Sequence, residues 1–188
     1  WPGRASSTPA GGVSCSCLPA GAVVVFVLLR SAPGGSPWAT FAAAPPSGYP
    51  QEVTRLRAQP SNCASHGRDY TNQRFSPLAQ ISTANVTSLQ LAWRYKTGIR
   101  ESFETSPIVV DGVMYSSTPL NHVVALDAAT GAKKWEYVHH YETTIDCCGP
   151  INRGVAVYGG RVFMGTVDAR MVALDAATGA KLWEVKVG

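Results

Sequence analysis

Thirteen residues occur twice in this chain, almost letter for letter. VALDAATGAKKWE (124–136) returns 48 residues later as VALDAATGAKLWE (172–184), and only Lys134 and Leu182 differ. A period of 20–50 residues marks a stack or ring of equivalent supersecondary units, and the sequence between the copies shows what the unit is. PIVV (107–110), Asp111-Gly112 and VMYSS (113–117) read as a hairpin, because Asp-Gly accepts the positive φ angles of a tight two-residue turn. HVVALD (122–127), the loop AATG and AKKWEY (132–137) read as a second hairpin, with Gly131 at a left-handed position. The plan recurs in VAVY (155–158), Gly159-Gly160, RVFMGT (161–166), ARMVALD (169–175) and AKLWEV (180–185). Four short strands per unit at this spacing are a propeller blade; immunoglobulin-like domains would need about 100 residues each. The expected fold class is all-β, a β-propeller represented by about two blades.

One strand is left over. LQLAWRY (89–95) carries Trp93 as the repeats carry Trp135 and Trp183, so it reads as the outermost strand of a blade whose other strands lie elsewhere. Propellers use about 4–8 blades, so a ring needs more chain than this, and the expectation is an N-terminal piece in which the partner of the orphan strand lies beyond Gly188. The repeated tryptophans are expected to pack between blades, and Asp127 and Asp175 to cap their loops, a use for which Asp is well suited.

Residues 1–60 have a different texture, rich in Ala, Gly, Pro and Ser, and read as a leader and linker before a propeller part at 61–188. The apolar run AGAVVVFVLL (20–29) is too short for a bilayer span, which takes about 20 residues. It suits the core of a secretory signal, with Arg4 upstream and FAAAP (41–45) as a cleavage region, although Arg30 directly after the run and the long distance to Ala44 also suit a disordered or mistranslated leader; no stable membrane span is expected. The net charge of +4 is spread along the chain, which speaks against a nucleic-acid partner, since such partners select clustered basic residues.

In a propeller the first strand of each blade lines the central channel, so residues just ahead of it converge near the axis. Glu104 stands three residues before PIVV and Arg153 two before VAVY; adding the repeat offset to Glu104 lands beside Arg153. Cys147 and Cys148 lie in the same kind of loop. An Arg there can hold a carboxylate or phosphate by a forked pair of hydrogen bonds, although a loop salt bridge without a ligand uses the same residues. Adjacent cysteines fit a disulfide badly: bridged Cα atoms usually stand roughly 4.4–6.8 Å apart, whereas neighbours are held near 3.8 Å. Two unpaired thiols and a strained vicinal bond both remain open on these grounds. The five cysteines include no C-x-x-C pair, which argues against a structural zinc site. His139, His140 and Asp146 are read as an exposed loop between blades rather than as metal ligands.

At these residues the chain resembles the pyrroloquinoline quinone (PQQ)-dependent alcohol dehydrogenases of the methanol/ethanol type. The resemblance covers about residues 60–188 and rests on GRDYTNQRFSPLAQISTANVTSLQLAWRYKTG (67–98), ETSPIVVDGVMY (104–115), CCGPINRG (147–154) and both ALDAATG repeats. It implies an eight-bladed propeller in the intact protein, with PQQ near the axis beside calcium or a lanthanide. It implies that Cys147 and Cys148 form a strained ring disulfide against the flat face of PQQ, and that Glu104 and Arg153 contact the cofactor. Strain held at a site is a common mark of function. The implied activity is oxidation of primary alcohols, with electrons passed to a cytochrome c. The catalytic Asp and the metal ligands are expected beyond Gly188, so no catalytic or metal-ligating residue is assigned within this chain. Two other readings share part of the pattern. A non-catalytic propeller of the envelope-assembly type would keep the Trp and ALDAATG repeats but has no use for CCGPINRG; a quinoprotein acting on sugars or polyols would generally lack the cysteine pair.

Overall fold

The computed structural model describes residues 23–26, 51–68, 74–76, 78–140 and 149–187. Its main features are two four-stranded antiparallel sheets. The first contains β3 (Ile108–Val110), β4 (Val113–Thr118), β5 (His122–Asp127) and β6 (Lys133–Tyr137), and the second β7 (Ala156–Tyr158), β8 (Arg161–Gly165), β9 (Arg170–Asp175) and β10 (Lys181–Lys186), each in simple meander order. These are the two blades expected from the repeat. The first turn of each is built as read: Asp111 and Gly112 have φ of 48° and 79°, and Gly159 and Gly160 have φ of 58° and 68°.

The blades stack face to face, which explains why HVVALD is apolar without alternation. Val123 and Ala125 point to one side, into a cluster with Val162, Met164, Val172 and Leu174 of the second blade. Val124 and Leu126 point to the other side, where they join Val109 and Met114 beneath Trp93 and Tyr95. A blade between two neighbours is buried on both faces, so its middle strands carry apolar residues at every position.

The repeated tryptophans form the seams. Trp135 of β6 lies against the 3–4 turn of the second blade: its Nε1 donates to Ala176 O at 3.0 Å, and a Cβ at Gly179 would stand 2.6 Å from its ring. Trp93 makes the same contact one blade earlier, with Nε1 donating to Ala128 O at 3.2 Å and a Cβ at Gly131 only 2.4 Å from its ring. Trp183 has no following turn among the described residues and is 42% exposed. Asp127 and Asp175 cap these turns as expected, each Oδ1 accepting from two backbone N–H groups and from the hydroxyl of Thr130 or Thr178. The threonine hydroxyl bonds hold both carboxyls below the ordinary carboxylate range.

The orphan strand is β2 (Trp93–Lys96), and here the structure departs from expectation. Its partner within the chain is β1 (Val23–Phe26), from the middle of the apolar run, paired antiparallel with Val23 opposite Lys96. A free strand edge is a template for any extended segment of the same chain, and the apolar run supplies one. Residues 51–60, grouped with the leader by composition, pack onto the blades through α1 (Gln51–Ala58), in which Leu56 is buried, and just beyond them Asn62 donates from Nδ2 to Asp111 Oδ1 at 3.3 Å. Cys63 pairs with Val109 as an isolated bridge at the inner edge of the first blade.

Gly112, Gly131 and Gly179 share a φ near +76° to +79° or slightly below, but only the last two lie under a tryptophan ring. Alanine at Gly112 should cost about 1–2 kcal/mol from its left-handed backbone alone. Alanine at Gly131 or Gly179 should cost at least about 2 kcal/mol more, because the ring must leave its seat. Urea midpoints of the three variants at constant slope test the difference; equal midpoints would mean that the seams do not support the stack.

Candidate functional site

Loops ahead of the inner strands meet at one end of the two blades, because β3 and β7 lie side by side. This juxtaposition brings two of the four sequence-predicted site residues into contact: Arg153 Nη2 lies 2.7 Å from Glu104 Oε2. The backbones agree, with Ser106 N donating to Arg153 O at 3.3 Å. The Arg153 side chain is 81% exposed and that of Glu104 40%, so the pair itself contributes only about 0–1 kcal/mol. It is better suited to presenting charge than to holding the fold. Cys147 and Cys148 lie outside the described residues, as does Asp146. Cys63 is disulfide-bonded, and since all other cysteines fall outside the described residues, so does its partner.

Beside Arg153 the two blades and α1 line an open pocket of about 970 Å³, at the upper end of small-molecule and cofactor sites. Its wall includes the apolar Val155, Val157, Phe163 and Met171, and its polar lining includes Arg153, Ser106 and His66. The His66 ring is oriented. Its Nε2 lies 3.1 Å from Arg74 Nη2, and a guanidinium can only donate. Nε2 is therefore an acceptor, and Nδ1 carries the hydrogen toward Ser106 Oγ at 2.7 Å.

A mostly apolar pocket that also presents a guanidinium and a hydroxyl has the side-chain chemistry to take a planar, polyanionic quinone such as PQQ. Arg153 would hold a carboxylate or quinone oxygen, and the apolar wall would cover a ring face. Among the described residues no group of three or more His, Cys, Asp or Glu side chains could hold a metal ion.

Two features escaped the sequence reading. His139 is not in an exposed loop; it is 5% exposed, with Nε2 at 3.1 Å from Asp168 Oδ1. Asp168 also pairs with Arg170 Nε at 3.2 Å, and Arg170 Nη1 reaches Glu184 Oε1 at 2.9 Å. This chain ties the end of β6 to the second blade. Burial pushes the Asp168 carboxyl up, but hydrogen bonds from Thr166 and His139 outweigh it and hold the carboxyl below its ordinary value. His140 beside it is exposed as expected. The second feature is Asn152, 8% exposed between Ile151 and Arg153, whose side chain bonds to both blades.

Three comparisons bear on this arrangement. Residues 64–184 match the family model described as PQQ, glucose/ethanol/alcohol dehydrogenase, β-propeller domain. The chain is 42% identical over 156 residues to quinohemoprotein alcohol dehydrogenase ADH-IIG of Pseudomonas putida, covering 81% of this chain and 21% of that protein. It is 46% identical over 109 residues to 1-butanol dehydrogenase (cytochrome c) of Thauera butanivorans, covering 56% of this chain and 16% of the relative. Among solved structures a europium-containing methanol dehydrogenase superposes with a TM-score of 0.69 at 38% identity, over 74% of this chain and 25% of that one. The chain thus spans about a fifth of the relatives it matches.

A depressed carboxyl contributes stability that is present above the ordinary carboxylate range and lost as pH falls through the folded value. Asp168→Asn should therefore destabilise the protein at pH 7 and flatten the fall in stability between about pH 5 and pH 3. Chemical denaturation across that range checks it; an unchanged slope would mean that the His139–Asp168 bond carries no linkage.

Proposed function

This chain belongs to the PQQ-dependent glucose/ethanol/alcohol dehydrogenase β-propeller family, and on that premise we propose that it is the N-terminal part of an exported, periplasmic PQQ-dependent dehydrogenase that oxidises primary alcohols and passes electrons to a cytochrome c. The observation that carries the reading is the Glu104–Arg153 contact of 2.7 Å, with Arg153 lining a large, mostly apolar pocket. Alcohol substrates are supported by relatives named as alcohol, butanol and methanol dehydrogenases, and the acceptor by the one named for cytochrome c.

In this proposal Arg153 and Glu104 are cofactor contacts, and the cofactor supplies the hydride acceptor. Glu104 neutralises Arg153 only in part, leaving donors of the guanidinium free for a carboxylate or quinone oxygen. Cys147 and Cys148, joined as a vicinal disulfide, would form a rigid floor against the flat face of the cofactor. Calcium or a lanthanide would sit on acidic residues beyond Gly188, where the catalytic Asp is also expected. The division of the chain into a leader at 1–60 and a propeller part at 61–188 belongs to the same proposal, with the apolar run as its export signal. Among the described residues no helix is long and apolar enough to cross a membrane.

The test is dye-coupled alcohol oxidation by the full-length protein, supplied with PQQ and calcium. The unsubstituted protein should turn over primary alcohols. The double substitution Cys147→Ser with Cys148→Ser should lower cofactor-linked turnover at least tenfold, about 1.4 kcal/mol in the barrier. Undiminished turnover would remove the proposed role of the cysteine pair. A full-length protein that neither binds PQQ nor oxidises alcohols would end the dehydrogenase reading. The 188-residue chain alone should be inactive with PQQ and calcium, since the metal ligands and base are placed outside it.

A further inference from the structure

Arg153 poses a problem of aim. Its side chain is long and 81% exposed, and its ion pair with Glu104 is open to solvent. Such a pair does little to immobilise either partner. A cofactor contact has to be placed to within a fraction of an ångström, so its placement must come from the backbone that carries it.

That backbone is held by its neighbour. Asn152 Nδ2 donates to Asn121 Oδ1 at 3.0 Å and to Gly165 O at 2.8 Å. Its Oδ1 accepts from Gly154 N at 3.2 Å, and its carbonyl oxygen accepts from Ser117 Oγ at 3.2 Å. The Oδ1 bond closes a ring around Arg153, since a side-chain oxygen bonded to the N–H two residues on is an Asx turn. The two Nδ2 bonds tie that turn to the loop between β4 and β5 of the first blade and to the end of β8 in the second. Both anchors are rigid. Asn121 is fully buried, sits at φ +57°, and its Oδ1 also accepts from Val167 N at 3.3 Å. Ser117 is fully buried and reaches Thr105 Oγ1 at 3.2 Å, one residue from Glu104. One asparagine therefore fixes the residue before Arg153, the residue after it, and through Ser117 and Thr105 the loop that carries Glu104.

We propose that Asn152 is the positioning residue for Arg153, locking it in an Asx turn clamped between the two blades so that its guanidinium meets the cofactor in one orientation. The inference rests on the dehydrogenase reading above. The partners it uses, the acceptors Asn121 Oδ1 and Gly165 O and the donor Ser117 Oγ, all belong to the described blades, so the clamp does not depend on the cysteine pair.

The experiment is a double-mutant cycle on the full-length apoprotein, read as the dissociation constant for PQQ from quenching of intrinsic tryptophan fluorescence. Arg153→Ala should weaken PQQ binding at least tenfold, and Asn152→Ala by a comparable factor. The Asn152→Ala, Arg153→Ala pair should bind no more weakly than Arg153→Ala alone, because an unaimed guanidinium has little left to lose. A role confined to general stability would instead multiply the two losses, and that result would overturn the proposal, as would an Arg153→Ala variant with unchanged affinity. If Asn152→Ala does not fold, Ser117→Ala replaces it in the cycle, since it removes the hydroxyl that holds the Asn152 carbonyl and reaches Thr105 Oγ1. Apoprotein that takes up no PQQ at all would end both this inference and the reading beneath it, whereas multiplied losses would end this inference alone.

Discussion

A tryptophan ring resting on a glycine turn is the contact on which the rest of this structure depends. Trp93 on Gly131 and Trp135 on Gly179 set how close one blade lies to the next. The indole N–H in each case satisfies a turn carbonyl, so the large apolar side chain is buried without stranding its one polar atom. The glycine is required twice over, once by its positive φ and once by the absence of a side chain beneath the ring. Everything between the seams follows from that spacing. Both faces of β5 are covered, the inner strands β3 and β7 run side by side, and the loops ahead of them meet at one end.

The candidate site is a product of this stacking rather than of any single loop. Glu104 and Arg153 are carried by different blades and touch because those blades are pressed together. Their charges face solvent and the pocket, while the groups that hold them are uncharged, buried and hydrogen-bonded: Ser117, Asn121 and Asn152. Division of labour of this kind leaves the exposed ions free to engage a ligand without loosening the fold.

How much could be read beforehand depended on range. The hairpins, their Asp-Gly and Gly-Gly turns and the capping of Asp127 and Asp175 are settled by neighbours within a few residues, and each is as the sequence implies. The tryptophan seams were legible because the repeat displays them more than once. The meeting of Glu104 with Arg153 was legible because the offset of the repeat maps one loop onto the next. His139 was misread, since its partner Asp168 stands 29 residues away in a loop with no counterpart motif. Asn152 was passed over for the same reason: its partners Asn121 and Gly165 belong to different strand ends, and an Asn in a loop gives no hint of burial. The pairing of β2 with Val23–Phe26 is longer in range still, and nothing in either segment names the other.

The near-identity of the two seams carries a cost in assembly. Trp93 faces the sequence DAATG at its own seat, and the same five residues stand 48 positions further on, so the ring by itself cannot tell Gly131 from Gly179. A folding chain of such units could close one blade out of step and lose almost no apolar burial. What separates the correct partner from its twin is the set of contacts that does not repeat. Asn121 grips Asn152, yet the residue equivalent to Asn121 in the second blade is Ala169; Ser117 grips the Asn152 carbonyl, yet its counterpart is Gly165. The polar clamp between the two blades thus acts as the key that gives an otherwise interchangeable pair of tiles a fixed order.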